Sequence, residues 1–208
     1  MARKGGFDAV APLYDTLSYV VFGNALKRAQ LAFLEHLPTT GRALVIGGGT
    51  GWILKEVVKR RPGLQVDYVE ASEKMLALSR RKVASDNHQV NFIHGTEKSV
   101  PSSDYDCIIT NFFLDVFSEN SLKRVMSLLR EKLGSGGMWI CTDFRSAGKR
   151  NHQFLIWLMH RFFGLFASLE ANRLLDFRPF FDKEGMILKE ESEFRNGLIF
   201  SALYRPNE

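Results

Sequence analysis

The chain has 208 residues, 45% hydrophobic and 25% charged, with a formal net charge of +5. This length and balance suit one α/β domain with a small addition and exclude a globally disordered chain. The cations form short clusters (Lys59, Arg60, Arg61; Arg80, Arg81, Lys82; Lys149, Arg150) at expected helix ends, where they complement the helix dipole, and make no nucleic-acid-binding stripe.

In chain order, MARKGGFDAVAPLYD offers neither the apolar core nor the small-residue cleavage site of a signal peptide. No run of 18 apolar residues predicts a transmembrane helix, so stable membrane insertion is not expected and a cytoplasmic location is. Two amphipathic stretches, roughly 8 to 20 and 24 to 36, end at LPTTGR. ALVIG (43–47) then reads as a short buried strand, WILKEVVKRR as a helix, LQVDYVE (64–70) as a strand, and SEKMLALSRRKVAS as a helix capped by Ser72. VNFIH (90–94) and YDCIIT (105–110) are strands. SENSLKRVMSLLREKLGSGG is a helix that opens at Ser118 and stops on its glycines, and MWICTDF (138–144) is another buried strand. Cys107 and Cys141 lie in these apolar runs and read as buried thiols, with no metal site.

Near-continuous apolar strands alternating with helices argue for a parallel sheet covered on both faces. The pattern then breaks, because residues 145 to 181 contain FLIWLMHRFFGLF and no strand. GMILKEESEF and GLIFSALYR follow as two strands joined at Arg195-Asn196-Gly197, a hairpin signal. The reading is one domain: a helical cover (1–40), a cofactor-binding core (41–144), a helical insertion covering substrate (145–181) and a C-terminal hairpin (182–208).

Gly47-Gly48-Gly49-Thr50-Gly51 lies between a strand and a helix, where missing side chains and free helix N–H groups suit a ligand. A dinucleotide fingerprint needs a glycine at position 52, which is Trp52. A nicotinamide cofactor is therefore disfavoured. Glu70, 19 residues after Gly51, ends the next strand, where an acid accepts the ribose hydroxyls of an adenosine.

This order of strand, GxGxG loop, helix, acid-tipped strand and final hairpin resembles the class I S-adenosylmethionine-dependent methyltransferases. FDAVAPLYDTLSYVVFG is similar to the opening of the ubiquinone and menaquinone biosynthesis methyltransferases. The resemblance implies a Rossmann-like α/β fold, a seven-stranded sheet in order 3-2-1-4-5-7-6 with strand 7 antiparallel, and S-adenosyl-L-methionine as cofactor. By the same resemblance, Gly47, Gly48, Gly49 and Gly51 lie at the methionine part and Glu70 takes the ribose. Ala71, Ser72 and Met75 border the adenine, Thr96 and Glu97 occupy the place of an adenine-binding acid, and Asn111 and Phe112, which open the substrate-facing motif Asn111–Asp115, complete the cofactor-binding set. Val45 replaces an acid that helps hold the methionine ammonium, which leaves backbone carbonyls near Gly47 and Asn111, or water, to hold it. Were that space filled by apolar side chains, the loop would be a relic.

Methyl transfer from a sulfonium is an in-line displacement, so the protein mainly aligns the reactants and excludes water. A base is required only where the acceptor must lose a proton. Asp115, His94, Tyr14 and His160 are the candidates. Each has a structural alternative: Asp115 as a cap near Ser118, His94 as a strand-end residue, Tyr14 as a packed aromatic, and His160 as a polar break in an apolar helix. Phe154, Trp157, Leu158, Phe162, Leu165 and Phe166 have helical spacing, fitting a helix packed on the sheet or against a second subunit, or a roof over an apolar acceptor. The expected function is methyl transfer to a small apolar or aromatic acceptor such as a quinone precursor. The alternatives are a cofactor-binding protein without turnover and an RNA methyltransferase.

Overall fold

The computed structural model describes residues 22–83, 89–101, 104–145 and 175–207. Tyr14, His160 and the apolar run from Phe154 to Phe166 lie outside them, as do most of the proposed N-terminal cover and insertion.

The described chain opens with helix α1 (Ala25–Leu31) and a 3-10 turn at Leu34–His36, so the second amphipathic stretch is a helix followed by a tighter turn. Strand β1 (Thr40–Ile46) follows, then α2 (Trp52–Arg60), β2 (Gly63–Glu70), α3 (Glu73–Lys82) and β3 (Val90–His94). Strand β4 (Tyr105–Asn111), α4 (Glu119–Lys132), β5 (Leu133–Phe144), the short α5 (Arg178–Lys183), β6 (Met186–Phe194) and β7 (Ile199–Pro206) complete the described elements.

The seven strands run in the order β3-β2-β1-β4-β5-β7-β6, with β7 antiparallel to both neighbours. Strand alternation divides the interior into two layers. Leu44, Ile46, Ile108, Trp139 and Cys141 face α4 and α5, packing with Leu122, Met126, Leu129 and Phe181. Ala43, Val45, Cys107, Ile109, Met138 and Ile140 face the other way, packing with Ile53, Leu54, Val57 and Leu76 from α2 and α3. Both faces of the central strands are therefore buried, which is why their sequences read as unbroken apolar runs. Both cysteines are free and buried, and burial raises their thiols far above the ordinary range.

Two boundaries differ from the sequence expectation. Helix α4 stops at Lys132, and strand β5 begins at Leu133, so Gly134, Gly136 and Gly137 belong to the strand. The ladder accommodates them through an irregularity, because Tyr105 pairs Leu133 while Cys107 already pairs Met138. Gly137 is needed there, since a Cβ would sit 2.8 Å from the Tyr105 carbonyl oxygen. The hairpin carries a four-residue loop, with Phe194 opposite Ile199 and Arg195, Asn196 and Gly197 all left-handed.

Among the described residues no helix is long and apolar enough to cross a membrane.

Candidate active site

The carboxyl ends of β1, β2 and β4 meet at one edge of the sheet, and the glycine loop lies across it. Glu70, at the tip of β2, is 7% exposed and ties two backbone segments together. Its Oε2 accepts the Gly49 N–H at 2.9 Å, and its Oε1 accepts the Ser72 N–H at 2.8 Å. Charge-assisted bonds of this kind are about twice as strong as neutral ones, so Glu70 is both a candidate ligand group and the brace of the loop. Tyr68, fully buried two residues earlier, donates its hydroxyl to the Gly49 carbonyl at 2.8 Å.

The glycines answer to packing as well as to a ligand. A Cβ at Gly47 would lie 2.5 Å from the Phe113 ring, and one at Gly48 would lie 2.4 Å from the Tyr68 ring. Gly51 caps α2 in a left-handed conformation, and Gly49 is also left-handed with only the Met75 sulfur near an added Cβ. Lys82 donates to the Thr50 hydroxyl at 2.8 Å, tethering the loop to the end of α3.

The neighbouring turns are built as small braces. The Ser72 hydroxyl caps α3 by accepting the Met75 N–H, as expected, and the Ala71 carbonyl lies 3.1 Å from His94 Nε2. His94 sits opposite Glu70 in the β2–β3 ladder and is exposed, with two strands, β2 and β1, between its own strand and β4. This position suits its strand-end reading better than a base near the acceptor. Thr96 opens a 3-10 turn at Glu97–Ser99, its N–H bonded to the Ser99 hydroxyl, and Glu97 is half-buried beside it.

At the end of β4 the register matters most. Val45 pairs Ile109 and Ile46 pairs Thr110, so the next steps bring Gly47 abreast of Asn111. Val45 is 1% exposed within the apolar layer and brings nothing polar to the edge. Asn111 does: it is 6% exposed, and neither its Oδ1 nor its Nδ2 has a hydrogen-bond partner. Such a group costs about 1–3 kcal/mol unless a ligand or water completes it. Polar capacity therefore persists beside the loop, which argues against a relic.

Phe112 is left-handed at φ 51°, rare for a bulky side chain, with its N–H bonded to the Thr142 carbonyl at 2.7 Å. The turn re-aims its ring onto Phe144, with centroids 4.8 Å apart, and Phe144 in turn meets Phe22 at 5.3 Å. Phe22, Phe112 and Phe144 thus make an aromatic cluster at this end of the molecule.

Asp115 lies in the 3-10 turn Leu114–Val116 and does not cap the following helix, because Ser118 fills that role through the Ser121 N–H. Its carboxyl meets that of Asp143, which is fully buried in β5. Asp143 Oδ2 accepts the Leu114 N–H at 2.9 Å, and Oδ1 accepts the Phe144 N–H at 2.8 Å. Burial pushes the Asp115 carboxyl up to about 6, while burial and the adjacent negative charge raise Asp143 further. Two carboxyls so placed share a proton. Asp143 and Tyr68 were missed as site residues from sequence. An acid inside the apolar run MWICTDF was the available signal for the first, and nothing local marked the second.

The residues fit an adenosine-bearing zwitterion: a braced acid, an open glycine backbone and an unsatisfied amide lie along one edge. Residues 43–137 match the family described as "Methyltransferase domain". The chain is 28% identical over 144 residues to a demethylmenaquinone methyltransferase of Thermus thermophilus, covering 66% of this chain and 64% of that one. It is 35% identical over 146 residues to a malonyl-[acyl-carrier protein] O-methyltransferase of Halalkalibacterium halodurans, covering 66% and 53% respectively. The chain thus spans less than two thirds of the length of these relatives.

Among solved structures, a chain from the complex of the Haloferax volcanii Trm112 methyltransferase activator with a methyltransferase matches with a TM-score of 0.76. Its identity is 16%, with 99% of this chain and 100% of that one covered. The DhpI complex with S-adenosylhomocysteine (SAH) matches with a TM-score of 0.72 at 16% identity, covering 96% and 93%. Residues 43–137 thus match a methyltransferase domain, and the strand order together with the structural likenesses shows the class I methyltransferase fold.

Proposed function

We propose that this protein transfers a methyl group from S-adenosylmethionine to a small acceptor with an apolar or aromatic body. The observation that carries the reading is the pairing of a braced Glu70 and glycine loop with an aromatic cluster at the same end of the sheet. The relatives named for demethylmenaquinone and malonyl-acyl carrier protein support a small acceptor.

The bound cofactor would supply an activated, electrophilic methyl group. Glu70 would take the ribose hydroxyls, with Ala71, Ser72 and Met75 along the adenine and Thr96 and Glu97 at its far edge. Gly47, Gly48, Gly49, Gly51 and Asn111 would border the methionine part. Phe112 would orient the acceptor and exclude water, since alignment alone supplies roughly 7–11 kcal/mol of such barriers. Asp115 would accept a proton from the acceptor. With its carboxyl near pH 6 it is mostly ionised at neutral pH, yet close enough in basicity to take a proton from a phenol or enol.

Calorimetric titration with S-adenosylmethionine and SAH tests the cofactor half, with micromolar binding expected and a loss of at least tenfold in Glu70→Ala. No binding of either at millimolar concentration refutes it. Mass-spectrometric assay of methyl transfer across quinols, phenols and acyl carboxylates tests the acceptor half. Tight cofactor binding without transfer to any would favour a cofactor-binding protein without turnover, and salt-dependent RNA affinity would favour an RNA methyltransferase.

A further inference from the structure

We infer that the Asn111 side-chain amide is the clamp for the amino-acid end of the cofactor, its Oδ1 accepting from the ammonium and its Nδ2 donating to the carboxylate. The inference rests on the cofactor reading above and assigns one recognition event within it.

Three observations point there. Asn111 is nearly fully buried, and both polar atoms of its amide lack a partner, whereas Glu70, Ser72 and Asp143 at the same edge are hydrogen-bonded. Evolution of a stable fold alone would favour an apolar residue at such a position, as it has at Val45 and Ile109 on the same face below it. Secondly, strand alternation directs the side chain. Thr110 turns to the α4 side, where it accepts from Trp139 Nε1 at 2.9 Å, so Asn111 turns to the face of Val45 and Ile109, abreast of Gly47.

Thirdly, the sheet order sets the spacing. Glu70 ends β2 and Asn111 ends β4, with β1 between them. Two strand spacings amount to roughly 10 Å, comparable with the span from a ribose to the α-carbon of an attached methionine. An amide also suits a zwitterion in a way a carboxylate does not, because it presents an acceptor and two donors from one planar group.

Titration of wild-type protein and Asn111→Leu with SAH and with 5′-methylthioadenosine, which lacks the amino-acid end, separates the possibilities. The variant is expected to bind SAH roughly 10- to 100-fold more weakly, the range for hydrogen bonds to charged groups. Its affinity for 5′-methylthioadenosine should stay within about threefold. The ligand-free variant should melt at the wild-type temperature or above, since two unsatisfied buried atoms are gone. Asn111→Ala serves the same comparison if leucine cannot be accommodated. Equal SAH affinity in variant and wild type, a parallel loss for both ligands, or a lower melting temperature without ligand would each overturn the clamp. If wild-type protein binds neither ligand, the cofactor reading fails and the clamp with it.

Discussion

Asp143→Asn is the most informative single change to the carboxyl pair. Both carboxylate oxygens already accept backbone N–H groups, from Leu114 and Phe144. An amide has only one acceptor oxygen, so its NH₂ must face at least one of those donors. Leaving a buried N–H unpaired costs about 1–3 kcal/mol. With a urea dependence of ~2 kcal/mol per molar, the unfolding midpoint at pH 5 should fall by roughly 0.5–1.5 M.

The change also removes the Asp143 carboxyl, which burial and the neighbouring Asp115 charge raise well above the ordinary range. A carboxyl raised in the folded state binds its proton more tightly there than in the unfolded chain. Its stabilising contribution is therefore full below about pH 4 and is lost as pH rises through about 6. For Asp115, raised from 3.8 to about 6, that loss between pH 5 and pH 8 is on the order of 1.4 kcal/mol. Burial, the largest cause of that rise, remains in the variant, so what the variant escapes is the further loss from Asp143 itself, and its deficit relative to wild type should narrow from pH 5 to pH 8. Urea unfolding of both proteins at the two pH values measures this directly. A deficit that is constant with pH, or wider at pH 8, would refute a shared proton.

Asp115→Asn should lower kcat by roughly 10²–10⁴ for an acceptor that must lose a proton. It should also abolish the acid limb near pH 6, with SAH affinity little changed; an unaltered pH–rate profile would remove Asp115 from the proton path. Gly48→Ala drives a methyl into the Tyr68 ring and should cost about 1–3 kcal/mol, together with measurable cofactor affinity. Thermal unfolding and calorimetry report the two effects separately. Tyr68→Phe removes one hydrogen bond to the Gly49 carbonyl and should cost about 1 kcal/mol, the hydrogen-bond share of the loop's stability.

Much of the architecture is legible in the sequence because it follows from local periodicity and punctuation. Apolar runs such as ALVIG and YDCIIT could only be strands buried on both faces, Ser72 and Ser118 mark helix starts, and the glycine loop before an acid-tipped strand marks the ligand edge. Where local signals conflict, the sequence points to the wrong boundary. Gly134, Gly136 and Gly137 look like a helix stop, yet pairing with β4 extends β5 back to Leu133, because ladder hydrogen bonds outweigh the strand-breaking tendency of glycine there.

The contacts that give the site its character were decided by tertiary structure alone. Asp115 meets Asp143 because β4 and β5 are neighbours, and Tyr68 reaches Gly49 because β2 lies beside β1. Asn111 stands abreast of Gly47, 64 positions earlier in the chain, only through the parallel register of β1 and β4. A one-residue slip would turn the amide to the opposite face. The sequence by itself determined most of the described elements and where a candidate cofactor loop lies. The order and register of the strands decided which polar groups converge on it, since those contacts join residues far apart in the chain and carry no local signature.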